Sequence, residues 1–143
     1  MVDNYRHKGM RKKLVSEIRS KGIADERILK AIDSIPRHLI LDSSFLEFAY
    51  EYKHFPIVSG QTISQPYTVA FQTDLLYISK GQKILEIGTG SGYQACVLAE
   101  LGAKVYTIER QRKLYLKTKE FLPKLGYRQI KLFYGDGYKG VPA

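Results

Sequence analysis

Three glycines at alternate positions, Gly88, Gly90 and Gly92, stand between the apolar run at 84–87 and an apolar-periodic stretch at 93–101. Glycine at such a strand-to-helix turn takes dihedrals closed to other residues and lets a ligand reach the backbone without meeting a Cβ. The turn is therefore expected to cradle a ligand, beyond merely reversing the chain. Dinucleotide enzymes use G-x-G-x-x-G here, but with Gly88 and Gly90 as the first two glycines the third position holds Tyr93, and the fingerprint fails. Glu86, just upstream, adds a negative charge where a phosphate loop normally avoids one. That suits a cationic, sulfonium-type cofactor with an amino-acid tail. Glu109, expected to end the next strand, has two readings: acceptor for both ribose hydroxyls, or ion-pair partner of Arg110 or Arg112. Asp136, between Gly135 and Gly137, can reach an adenine edge or simply make a turn.

The elements that must position these residues follow from periodicity. Met10, Leu14, Val15 and Ile18 share one helical face that Gly22 can stop; Asp25 can cap a second helix carrying Ile28, Leu29, Ile32 and Ile35, ended by Pro36. Residues 45–64 are irregular and turn-rich, and Pro66 opens a third helix that runs to about residue 78. From residue 83 the order is βαβαβ, with compact strands at 84–87, 105–108 and 130–134 and helices at 93–101 and 114–125, the last bent or shortened by Pro123. Parallel neighbours need crossovers, so the expected architecture is α/β, with helices covering a parallel sheet and ligands bound beyond the strand carboxyl ends.

Composition narrows the partners. The 143 residues are one domain's worth, and no run approaches the roughly 18 apolar residues of a membrane span. Cys96 alone can form neither an intrachain disulfide nor a metal cluster; it reads as a small buried helix residue and suits a reducing cytoplasm. The net charge of +9 raises nucleic-acid binding, but the cations are dispersed. The densest group, Arg6, Lys8, Arg11, Lys12 and Lys13, lacks an aromatic stacking set and reads as a solvated helix face, so neither nucleic acid nor a metal is expected.

Three segments together resemble the protein-L-isoaspartate O-methyltransferase family: GQTISQPY at 60–67, the glycine segment at 85–94, and VYTIER at 105–110. Pro36-Arg37-His38 and Gly135-Asp136-Gly137 also fit its pattern. The resemblance implies a Rossmann-like S-adenosylmethionine-dependent methyltransferase fold with N-terminal helices. Residues 1–79 would be the helical and substrate-loop region and 80–143 the cofactor-binding part of one domain. It implies methylation of the free α-carboxylate of L-isoaspartyl residues in damaged proteins and peptides, whose ester closes to a succinimide and reopens. Ser64 matches the family's active-site serine; Gln61, Thr62, Ile63, Glu86, Gly88, Gly90, Gly92, Glu109, Asp136 and Gly137 match cofactor-side positions. The acceptor is already ionised at neutral pH, so alignment rather than a general base is the main lever. By residue type alone, Ser64 suits helix capping beside Pro66 as well as a hydrogen bond to that carboxylate.

Val58 and Tyr52 depart from the family's usual glycine and aspartate, so the path before Gly60 is expected to differ. The resemblance also implies that the domain is incomplete at Val141-Pro142-Ala143, leaving the first of the three strands with an open edge that can pair with another chain. Two other outcomes are carried: a methyltransferase for another acceptor such as RNA, and an inactive fragment that retains the cofactor loop.

Overall fold

The structure, a computed structural model, describes residues 2–41, 43–51 and 55–142. Tyr52 lies outside these residues. Helix α1 (Tyr5–Ser20) starts from Asn4, whose side chain accepts from the His7 N–H at 3.0 Å while the His7 ring accepts from the Asn4 N–H. Leu14 and Ile18 are buried as its stripe requires. Arg11 is not part of a solvated face: it is buried, grips both Asp3 oxygens at 2.9 and 3.0 Å, and donates from Nε to the Asp33 carbonyl. One turn of α1 places it toward α2, where its aliphatic stem covers apolar surface and Asp3 compensates its charge. Helix α2 (Glu26–Ser34) is capped by Asp25, which accepts from the Arg27 N–H at 2.9 Å.

The irregular stretch is a chain of 3-10 turns at Arg37–Leu39, Ser43–Phe48 and Val58–Gly60, with a short antiparallel pair between β1 (Phe55–Pro56) and β2 (Thr62–Ile63). Ser59 and Gly60 take consecutive left-handed conformations (φ 66° and 67°), which turns the chain into β2. Helix α3 (Pro66–Leu75) has proline in its first turn, where no N–H is needed.

Strands β3 (Lys83–Ile87), β4 (Lys104–Glu109) and β5 (Lys131–Tyr134) form a parallel sheet in the order β3-β4-β5, linked by α4 (Tyr93–Glu100) and α5 (Arg112–Lys124). The β3–β4 register pairs Glu86 with Thr107 and Ile87 with Ile108. The expected βαβαβ order and its parallel sense are therefore observed. One apolar core joins Leu14 and Ile18 of α1 and Ile32 of α2 to Ala95, Val97 and Leu98 of α4, fixing the N-terminal helices to the sheet layer. Cys96 is fully buried in that core, and burial pushes its thiol up from its ordinary value. The compact apolar strand of the sequence reading is only partly covered. Among the described residues β3 has a partner on one side alone, and Leu85 and Ile87 are 45% and 58% exposed.

Candidate cofactor and acceptor clefts

Two clefts of about 310 Å³ each open at the carboxyl ends of β3, β4 and β5 and share Thr62, Ile87, Gly88 and Gly90 as a common wall. Ile63, Ser64, Glu86 and Tyr93 line the first, bounded by β2, α3 and the start of α4. Gln61, Glu109, Asp136 and Gly137 line the second. The fold thus gathers ten of the eleven residues singled out from sequence; Gly92 lines neither cleft.

Gly92 has a packing role. It caps α4 with φ 83°, and a Cβ there would stand 3.0 Å from Leu122 Cδ2 and 3.1 Å from Thr118 Cγ2, so glycine lets the start of α4 close onto α5. Gly137 is constrained by space: an added Cβ would come within 2.4 Å of Ile87 Cγ2. The rest of the turn is tied down from β4. The N–H groups of Gly88 and Thr89 both donate to the Ile108 carbonyl, at 2.9 and 3.2 Å, and the Thr118 hydroxyl donates to the Gly90 carbonyl at 2.9 Å. These bonds hold the loop in shape before any ligand arrives.

Glu109 is buried, and neither Arg110 nor Arg112 is needed to explain it. One carboxylate oxygen accepts from the Gly90 N–H at 3.0 Å and the other from the Gln111 N–H at 2.8 Å, clamping the glycine turn to the start of α5. Each oxygen keeps a second lone pair, so the carboxylate can also face a ligand in the second cleft. Asp136 caps the 3-10 turn Gly137–Lys139, accepting from the Tyr138 N–H at 3.0 Å, while its exposed side chain still borders the cleft.

Glu86 accepts from the Thr107 hydroxyl at 2.6 Å, and Thr107 and Thr89 share a hydroxyl–hydroxyl bond at 2.7 Å. Burial pushes the Glu86 carboxyl up to about 7, with nearby Glu109 adding to the shift against the Thr107 bond. Neither threonine stood out in the sequence. Strand alternation does put residues 105, 107 and 109 on one face, but only the register shows that Thr107 meets Glu86.

Ser64 is exposed at the first cleft and does not cap α3. Gln65 occupies the cap position without a side-chain cap bond, because the residue before a proline is held extended. The Ser64 carbonyl accepts from Arg37 Nη2 at 2.8 Å. Arg37, in a segment that the sequence flagged without giving it a role, is thus drawn to the wall of the cleft.

Asp3, His7 and His38 bring ligand-type atoms within 4.8 Å of one another, a grouping their spacing does not reveal. Both Asp3 oxygens are taken by Arg11, so this group is organised as an ion pair with a stacked His7–His38 pair beside it.

The lining chemistry tests the cofactor. Three carboxylates, Glu86, Glu109 and Asp136, stand against one cation, Arg110. A pyrophosphate would meet repulsion there, whereas a cationic nucleoside cofactor with ribose hydroxyls would find acceptors, so the residues fit S-adenosylmethionine. Parallel strands, a glycine turn and carboxylates at successive strand ends define a Rossmann-like nucleoside-cofactor fold.

A sequence profile of the protein-L-isoaspartate(D-aspartate) O-methyltransferase family matches residues 9–143. The chain is 65% identical over 142 residues to the protein-L-isoaspartate O-methyltransferase of Christiangramia forsetii, covering 99% of this chain and 67% of that protein. Against the enzyme of the same name from Salinibacter ruber it is 45% identical, covering 99% and 61%. A solved protein-L-isoaspartate O-methyltransferase superposes with a TM-score of 0.84 at 33% identity, over 92% of this chain and 44% of that one. A Plasmodium falciparum structure, described as a putative member in complex with S-adenosyl-L-homocysteine, gives 0.69 at 20% identity, over 85% and 61%, and supports the fold. This chain belongs to the protein-L-isoaspartate O-methyltransferase family. It spans about two thirds of the length of the curated relatives it matches.

Proposed function

We propose that the protein transfers a methyl group from S-adenosylmethionine to the free carboxylate of L-isoaspartyl residues in damaged proteins and peptides, acting in the cytoplasm. The observation that carries this reading is the pair of adjoining clefts. Three acidic strand-end residues surround a glycine turn, and Ser64 stands at the far side of the shared wall. S-adenosylmethionine, when bound, supplies an electrophilic methyl on a cationic sulfur. The chain's own residues bind and orient. Glu109 accepts from ribose hydroxyls on the lone pairs not used by Gly90 and Gln111, and Asp136 faces the base side of the same cleft. Glu86 offers negative charge to the amino-acid end, and a cation bound there favours its ionised form. Thr62 belongs to the wall common to both clefts, with Ile63 lining the first and Gln61 the second. The Ser64 hydroxyl donates to the acceptor carboxylate and fixes the attacking oxygen, which is ionised at neutral pH and requires no base.

Among the described residues no helix is long and apolar enough to cross a membrane. Calorimetric titration with S-adenosylhomocysteine and with NAD separates the cofactor classes. Saturable binding of the first and none of the second is expected; the reverse order of affinities would remove the methyltransferase assignment.

A further inference from the structure

Arg37 is the largest fully buried side chain in the described structure, at 0% exposure. Its Nε donates to the Ala49 carbonyl at 2.9 Å and its Nη2 to the Ser64 carbonyl at 2.8 Å, so the two ends of the irregular 49–64 stretch hang on one guanidinium. Its central carbon lies 4.6 Å from the centre of the Tyr93 ring, which is also buried and lines the first cleft. Tyr93 is the residue that breaks the dinucleotide fingerprint. Arg37 Nη1 and the Tyr93 hydroxyl, both buried, lie against each other and have no other hydrogen-bond partner among the described residues, where no carboxylate pairs with Arg37 either. Among the described residues this buried cation is held only by neutral groups, which is costly, and two carbonyls do not need a charged donor to tie a loop together. The Tyr93 ring and the Ser64 backbone stand between it and the cleft.

We propose that Arg37 is a positioning residue for the methyl acceptor: it fixes Ser64 through the backbone carbonyl, and its guanidinium charge behind Tyr93 draws an anionic carboxylate into the cleft against the repulsion of Glu86. This rests on the isoaspartyl reading above. The charge makes the cleft selective for a carboxylate over its neutral amide, and the carbonyl anchor sets the angle of the Ser64 hydroxyl. Lysine can keep the charge but cannot donate to both carbonyls from one planar fork.

The test uses the protein at its natural length with Arg37→Gln and Arg37→Lys. The peptide KM, kcat, and affinity for S-adenosylhomocysteine are measured for an isoaspartyl peptide. For Arg37→Gln the expected result is a KM raised about tenfold, a weaker salt dependence of kcat/KM, and S-adenosylhomocysteine affinity within about twofold of wild type. For Arg37→Lys, KM recovers to within about threefold while kcat, lowered in both variants by loss of the Ser64 carbonyl anchor, does not recover. Equal KM in all three proteins, with activity lost only in proportion to the unfolded fraction, would make Arg37 a structural staple and overturn the proposal. Should Arg37→Gln fail to fold, the wild-type protein decides. Saturated with S-adenosylhomocysteine, which carries no sulfonium charge, it should bind the isoaspartyl peptide about tenfold more tightly than the matching carboxamide; equal affinity overturns the proposal. A wild-type protein that does not methylate the isoaspartyl peptide would remove the functional reading and this proposal with it. Wild-type turnover with indifferent variants would remove this proposal alone.

Discussion

Replacing Glu109 by glutamine separates the two tasks assigned to its carboxylate. Both oxygens accept backbone N–H bonds in the folded chain, from Gly90 at 3.0 Å and Gln111 at 2.8 Å. An amide offers one oxygen, and its NH2 would face the other N–H donor, leaving a buried donor unsatisfied. That costs about 1–3 kcal/mol, which at this chain length lowers Tm by roughly 3–10 °C. Cofactor binding should suffer separately, because a charged acceptor for ribose hydroxyls is worth about 1.5–3 kcal/mol, or roughly ten- to a hundredfold in affinity. Thermal unfolding followed by circular dichroism and calorimetric titration with S-adenosylhomocysteine measure the two effects on one sample. A lowered Tm with unchanged affinity would confine Glu109 to clamping the turn. Unchanged values of both would refute the hydrogen-bond reasoning itself.

Gly137→Ala should destabilise the protein by about 1–3 kcal/mol and weaken S-adenosylhomocysteine binding, since the new methyl would stand 2.4 Å from Ile87 Cγ2; wild-type melting and affinity would contradict it. Burial raises the Glu86 carboxyl from 4.5 to about 7, so the folded state holds this proton more firmly than the unfolded chain does. Its stabilising contribution is complete below about pH 4.5 and is lost as pH rises through 7. Glu86→Gln should therefore be more stable than wild type at pH 8, by on the order of 3 kcal/mol, and equal to it near pH 4; denaturant melts showing the same difference at both pH values would exclude the buried-acid account. Residues 1–143 expressed alone are expected to self-associate through the edge of β3 that has no strand partner among the described residues and through the exposed Leu85 and Ile87, with sedimentation as the measurement and a dilution-stable monomer as the contrary result.

What could be read in advance follows from which interactions are local. Asp25 as a cap, Pro66 in a first turn and the βαβαβ order depend on neighbouring residues and periodicity, and each appears in the fold. The glycine turn and the carboxylates at the strand ends were legible because residue type and position within one βα unit suffice. The roles of Arg11, Thr107 and Arg37 were not. Each is decided by a partner far along the chain: Asp33, Glu86 and Ser64 respectively. A basic residue on a helix reads as solvated until packing shows a compensated, buried guanidinium. The packing constraint on Gly92 was hidden for a related reason, since a glycine beside a ligand loop and one under a neighbouring helix look alike until Leu122 and Thr118 are in place. Ser64 lost its capping role to the extended conformation imposed on Gln65 by Pro66, a local rule that could have been applied to the sequence.

The most direct test of the central claim is methyl transfer from labelled S-adenosylmethionine, by the protein at its natural length, to two peptides identical except for one residue, L-isoaspartyl in one and L-aspartyl in the other. The account predicts base-labile methyl ester on the isoaspartyl peptide and none above background on its twin. Equal labelling of both, or labelling of neither by a protein that binds S-adenosylhomocysteine, would contradict it.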